Sequence, residues 1–424
     1  MNMLRALRHR NFRLFFFGQG TSLIGTWIQQ AAMSWLVYRL TGSTLLLGFT
    51  AFAGQIPILL LAPVAGVWSD RFDRRKLWLG TQVLSLLQAL ALAGLAFSGF
   101  VAVWHIVVMA VLLGIITAFE TPIRQSMMTH MVDDQSDLTN AIALNSFTVN
   151  VARLLGPTIA GLVIALVGEA TCFLLNGLSY VAVIVALLSM RVSQERSSKH
   201  GVACTLKDGL AYAFNAVEIR GSLLFLALVS FMATPYLVLL PVYAKDVFHG
   251  SAQTLGFLMS SAGLGAIVGT VFLASRKNVG KLRSVTLLAG TCAGIALMGF
   301  ALSTTLWVSL LLMGLVGFGV VVTAASTNMS LQTAVEGRFR GRVMAMYTIA
   351  YLGVSPLGGL AAGVLADHIG TPDALFTGGL LCALGGLAFS RNLLRDLVRA
   401  PFRQGQRNGA RRLDLGAPTT VMPA

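Results

Sequence analysis

Carboxylates are scarce in this chain: 16 Asp and Glu among 424 residues, against 31 Lys and Arg. Charged residues of both signs make up only 11%, where soluble domains carry about 25%, and that deficit excludes a soluble globular class. Cysteine is scarcer still. Cys172, Cys204, Cys292 and Cys382 form no CxxC pair and no His/Cys cluster, so neither a disulfide framework nor a zinc site is expected. Walker, GxSxG and HExxH motifs are missing, which argues against ATP hydrolysis and against hydrolytic catalysis in this chain. The histidines at 105, 130, 200, 249 and 368 do not pair with acids at metal spacing. No enzyme, cofactor or metal is therefore expected. The alternating strand pattern of an outer-membrane barrel is absent as well.

What fills the chain instead is hydrophobic, 56% of it. Runs of about 20 apolar residues recur throughout, each enough to cross a hydrocarbon core of about 30 Å. Backbone polar groups must be satisfied inside lipid, so such runs are read as helices. Twelve spans are expected, near 14–38, 45–68, 77–98, 103–127, 139–167, 171–190, 222–247, 253–275, 284–304, 306–330, 340–367 and 373–392. The fifth and eleventh are long enough to begin outside the lipid. The first is too long for a cleaved signal and lacks a small-residue cleavage site, so it is expected to remain as an anchor.

The net charge of +15 falls almost wholly on one side of these spans. Arg5, Arg8, Arg10 and Arg13 precede the first span, and Arg71 to Lys76 follow the second. Further cations follow the sixth, eighth, tenth and twelfth, while loops of the other parity hold only Arg39 and Lys245. This bias predicts both termini in the cytoplasm. It accounts for the basic excess through topology and the lipid bilayer, and speaks against nucleic acid as a partner.

The longest loop divides the chain. The expected organisation is a six-helix half over 1–190, a cytoplasmic linker over 191–221, a second six-helix half over 222–392 and a basic tail over 393–424. Within the linker, Leu206, Leu210, Phe214 and Val217 recur at helical spacing, as in an amphipathic helix lying on the membrane. The tail is Gly-, Gln- and Arg-rich and reads as disordered. The fold class is thus an all-α membrane protein with twelve transmembrane helices in two pseudo-symmetric six-helix bundles, an arrangement that places a substrate site where the halves meet.

One loop combines Gly66, Asp70, Arg71, Arg74, Arg75 and Lys76. Topology explains its cations but not Gly66, which permits close helix approach, or Asp70 at i+4 on the same face, placed to meet a helix N-terminus. These residues resemble the signature loop of the major facilitator superfamily, G-x-x-x-D-R-x-G-R-[RK]-[RK], with Asp73 where that family usually has glycine. The resemblance implies the major facilitator fold, and a conformational latch between the halves at Gly66, Asp70, Arg71, Arg74 and Arg75. A second block, Phe119 to Gly168, is similar to the exporter branch that includes the enterobactin exporter and macrolide efflux proteins. Gly156, Pro157 and Gly161 resemble its antiporter motif, with Ala152 and Ala160 replacing two glycines. Pro157 frees a backbone carbonyl, and the small residues suit close packing against the other half.

Glu120 is the only clear carboxylate within a span. A charge near the bilayer centre costs about 2.5–3.5 kcal/mol even on the lenient insertion scale. Arg124, one turn on, is positioned to pair with it, and Arg153 is a deeper cation in the next span. Glu120, Arg124 and Arg153 are the proton-coupling candidates. A structural ion pair is the alternative for the first two, and an anionic substrate for Arg153. The first span carries a polar stripe of Gln19, Ser22, Thr26, Gln29 and Gln30. In the superfamily, helices one, four, seven and ten line the cavity. Gln19, Thr26, Gln30, Tyr236, Thr323 and Asn328 are accordingly the cavity candidates, and aromatics with amides suit an amphipathic ligand. Helix–helix hydrogen bonding remains open for each.

The reading is a secondary active transporter of a bacterial inner membrane, acting as a monomer. Its partners are a small-molecule substrate and protons. The expected work is proton-coupled efflux of an amphipathic organic molecule, drug-like or a secreted metabolite such as a siderophore. Two alternatives stay open: an importer on the same fold, and a membrane-embedded enzyme or lipid-handling protein without gradient coupling.

Overall fold

The computed structural model describes residues 4–71, 73–128, 131–132, 135–190, 217–276, 282–335 and 337–390. Most of the expected linker, including all but the end of its amphipathic helix, lies outside them, as do Cys204 and the basic tail. In the first half the helices are α1 (Arg10–Thr41), α2 (Thr44–Arg71), α3 (Arg74–Phe97), α4 (Val103–Met128), α5 (Gln135–Val167) and α6 (Glu169–Ser189). In the second they are α7 (Ile219–Val247), α8 (Ala252–Ala274), α9 (Leu282–Leu302), α10 (Leu306–Ala334), α11 (Phe339–Ile369) and α12 (Thr371–Ser390).

Among the described residues, eleven helical stretches are long and apolar enough to span a membrane. The remaining helix, α1, has the length, at 32 residues, but the polar stripe lowers its hydropathy. Helix α5, at 33 residues, extends about 50 Å at 1.5 Å per residue, well beyond the hydrocarbon thickness. Two spans are not continuous α-helices. Helix α7 is interrupted between Met232 and Tyr236, where Pro235 cannot donate a backbone hydrogen bond, and closes in a π-turn at Tyr243–Val247. Helix α11 carries a π-turn at Ile349–Gly353 just before Ser355-Pro356.

Helix ends follow local chemistry. Gly42 stops α1 in the left-handed region (φ 62°), and its N–H returns to the Tyr38 carbonyl. Gly168 (φ 86°) turns α5 into α6. Ser251 caps α8 by accepting from the Gln253 N–H.

Packing repeats between the halves. Close α1–α6, α2–α4 and α3–α6 pairs in the first half correspond to α7–α12, α8–α10 and α9–α12 in the second. Lipid offers apolar groups no reason to associate, so small residues let backbones approach. Gly25 faces Ser179 and Asn176 on α6, and Gly317 lies against the Ala262 carbonyl on α8. Large apolar side chains such as Leu166, Leu288 and Leu311 point outward, where lipid would meet them. Across the seam between the halves, α2 packs on α11 and α5 on α8.

Candidate functional site

A cavity of about 370 Å³ sits on that seam. Its walls come from α1, α2, α4 and α5 of the first half and from α7, α8 and α11 of the second. Thr26, Trp27 and Gln30 of α1 face Thr234 of α7 and Tyr351 of α11 across it, with Thr117 of α4 and Arg153 of α5 on the wall. The breaks in α7 and α11 therefore coincide with the cavity, consistent with irregular helix being tolerated where it borders a void.

One end of the cavity is sealed by cross-seam contacts. For orientation, the end carrying Arg74 to Lys76 is called the basic end and the other the far end. In the far half, the Thr44 hydroxyl donates to the Gly363 carbonyl at 3.1 Å. A Cβ on Gly48 would lie 2.8 Å from the Gly359 carbonyl, and one on Gly161 would lie 2.7 Å from the Ala252 carbonyl. Ser260 of α8 donates to the Leu154 carbonyl at 2.7 Å, and its hydroxyl is 2.6 Å from that of Thr158. Outermost, the Tyr38 hydroxyl donates to the Asp246 carboxylate, with the Lys245 ammonium 5.4 Å from the Tyr38 ring.

The antiporter-like motif divides by direction. Gly161 faces α8 in the other half, against Ala252. Gly156 instead faces Trp27 within its own half, where a Cβ would come 2.4 Å from the Trp27 Cβ. Pro157, inside α5, leaves the Arg153 carbonyl without its helical donor, and Gly263 of α8 packs directly against that carbonyl.

Of the cavity candidates, Thr26 and Gln30 line it, together with Gln29. Gln19, Tyr236, Thr323 and Asn328 are not among its lining residues. Gln19 is buried on α1, and Tyr236 lies in the core cluster of the seam. Thr323 donates to the Gly319 carbonyl on its own helix and reaches the Thr286 carbonyl on α9. Asn328 accepts from Gln332 one turn on. Three of the five stripe residues, Thr26, Gln29 and Gln30, thus border the cavity, and Gln29 also joins helices. The Gln29 amide donates to Gln88 at 3.2 Å and accepts from Asn176 at 2.8 Å, binding α1 to α3 and α6.

Glu120 lies on α4 one turn from Thr117, toward the basic end, and below the cavity wall. Its carboxylate is 3.7 Å from the Arg124 Nε, and Gln82 of α3 and Tyr180 of α6 face it. Arg153 does not join this pair. Its guanidinium lies 5.3 Å over the Trp27 ring.

In the signature loop, Gly66, Asp70 and Arg71 belong to the last turns of α2. Asp73, where glycine is usual in the resembling loop, caps α3 by accepting from the N–H groups of Arg75 and Lys76. Arg74 opens that helix. Arg75 reaches α6, donating to the Leu187 carbonyl at 2.7 Å and the Leu188 carbonyl at 3.0 Å. Sequence reasoning missed the Tyr38–Asp246 contact and the place of Thr234 on the cavity wall. The available signals were the Tyr-Arg and Lys-Asp pairs at two far-end helix termini, and Thr-Pro inside a span.

Among the described residues, twelve helices of membrane length in two corresponding halves, with a cavity on the seam, have the architecture of a membrane transporter of the major facilitator class. The family described as transmembrane secretion effector matches residues 2–406, and the chain belongs to it. The staphyloferrin A transporter of Staphylococcus aureus is 28% identical over 365 residues, covering 84% of this chain and 90% of that protein. The multidrug efflux pump Tap of Mycolicibacterium fortuitum is also 28% identical, over 91% of this chain and 96% of its own length. Among solved structures, a bacterial homologue of the iron transporter ferroportin superposes with a TM-score of 0.66 at 18% identity, over 90% of this chain and 98% of its own.

Proposed function

We propose that this chain exports an amphipathic small organic molecule in exchange for protons, by rocking its two halves about the central cavity. The observation that carries the reading is the cavity on the seam, sealed on the far side by helices from opposite halves. Such a void can exchange sides if the halves tilt while each keeps its own packing. The efflux activity named for the Tap relative supports export over import. The basic loops support an orientation with both termini in the cytoplasm of a bacterial inner membrane, so the sealed far end faces outward. The assembly is read as a monomer.

Glu120 is the proposed proton carrier. It is mostly covered, with 15% of its side chain exposed, in the basic half beside Arg124, so neutral and charged forms differ in how strongly they hold that arginine. Gly66, Asp70, Arg71, Arg74 and Arg75 are the proposed latch of the basic end. Arg75 ties the start of α3 to the end of α6, so that end of the first half would move as one body. A proton entering down 100 mV releases about 2.3 kcal/mol, enough for an approximately fifty-fold gradient of a neutral substrate.

Everted vesicles test the whole reading. Respiring vesicles containing the chain are expected to accumulate at least one of erythromycin, ethidium or pyrenebutyrate, and to lose it when an uncoupler is added. Accumulation that survives the uncoupler would sink proton coupling. Glu120→Gln should abolish concentrative uptake while leaving downhill exchange intact; normal concentration by that variant removes Glu120 from the mechanism.

A further inference from the structure

Arg153 is the one charged side chain lining the cavity among the described residues. Among the described residues no ion pair involves Arg153, and Glu120 of the neighbouring helix pairs with Arg124 instead. The guanidinium lies against the Trp27 ring and its Nε is buried without a hydrogen-bond partner. On the opposite half, Thr234 lines the same cavity, and its hydroxyl is likewise buried and unpartnered. A buried guanidinium N–H without an acceptor is costly, and a ligand oxyanion that accepts from it relieves that cost. The rest of the wall supplies apolar surface from Met33, Ile58 and Val238.

We infer that the transported molecule is an organic anion, a carboxylate or similar oxyanion on an apolar body, bound between Arg153 and Thr234. This rests on the transporter reading and narrows it. An anionic group spanning both halves would also give the ligand a grip on the seam itself.

The test uses three probes sharing one ring system: pyrenebutyrate, pyrenebutyramide and pyrenebutylamine. Binding to the full chain in lipid nanodiscs is read by energy transfer from tryptophan to pyrene. The carboxylate is expected to bind about tenfold or more tighter than the amide or amine, the scale of one hydrogen bond to a charged group. Arg153→Gln should erase that preference and Arg153→Lys should keep part of it. Gln30→Glu, which places an opposing charge on the same wall, should weaken the carboxylate probe and spare the amide, so the question does not hang on one variant's folding. Equal binding of all three probes, or an unchanged preference in Arg153→Gln, overturns the anion site. A charge preference in nanodiscs with no vesicle accumulation of any probe supports the site and counts against transport. Vesicle accumulation of all three probes alike leaves transport standing and overturns the anion site.

Discussion

The Tyr38 hydroxyl in the first half donates to the Asp246 carboxylate in the second, close to the far surface. Hydrogen bonds to charged groups contribute about 1.5–3 kcal/mol. An equilibrium between two tilts of the halves responds to that amount, since about 1.4 kcal/mol is a factor of ten in population. Tyr38→Phe removes the donor while keeping the ring beside Lys245. It is expected to raise the fraction open to the far side by about tenfold. A cysteine at Thr50, on the cavity wall, reports this when the native cysteines are replaced. Its labelling by an impermeant maleimide from the far side should accelerate in Tyr38→Phe and not in Arg39→Gln. Arg39 serves as the comparison because its ion pair with Glu169, at 2.9 Å, lies within one half and is half exposed. An unchanged labelling rate in Tyr38→Phe would mean that the contact contributes nothing to closure.

At the scale of helices, the glycines separate packing within a half from packing across the seam. Gly161 faces α8 across the seam, whereas Gly156 faces Trp27 inside the first half. Gly161→Leu is expected to leave thermal stability within a few degrees, open the far end to maleimide and lower transport at least tenfold. Gly156→Leu should instead lower the melting temperature, because its clash persists in every tilt of the halves. Gly80, with open space around it, supplies the neutral control as Gly80→Ala. Reversed behaviour of the two leucine variants would break the assignment of α5–α8 to the moving seam. The same contrast shows what was legible in the chain. Span number and helical class follow from hydropathy, since lipid admits few backbone solutions. The breaks in α7 and α11 were only hinted at by Thr234-Pro235 and Ser355-Pro356, because proline signals a break without fixing its π-turn. Side-chain direction was least legible. Thr323 and Asn328 occupy a cavity-type helix yet bond to their own helix or to a neighbour, and Asp73 departs from the resembling motif because an aspartate caps the next helix.

For the whole molecule, rocking requires that α5 and α8 separate in the far half once per cycle. Thr158 and Ser260 face each other there from opposite halves, with hydroxyls 2.6 Å apart. Replacing both by cysteine, in a background without the native cysteines, puts two thiols where a disulfide can close. The bond then holds the far end shut without touching the cavity lining or Glu120. Oxidation of the double variant should reduce probe transport in everted vesicles to the empty-vesicle level, and a reductant should restore it. Each single variant should be indifferent to oxidant. Probe binding in nanodiscs should survive the cross-link, because the cavity remains intact in the far-closed state. Loss of binding along with transport would show that the cross-link had deformed the site. Full transport by protein that is quantitatively cross-linked would require a substrate path that never opens between α5 and α8, and alternating access about this seam would then be wrong.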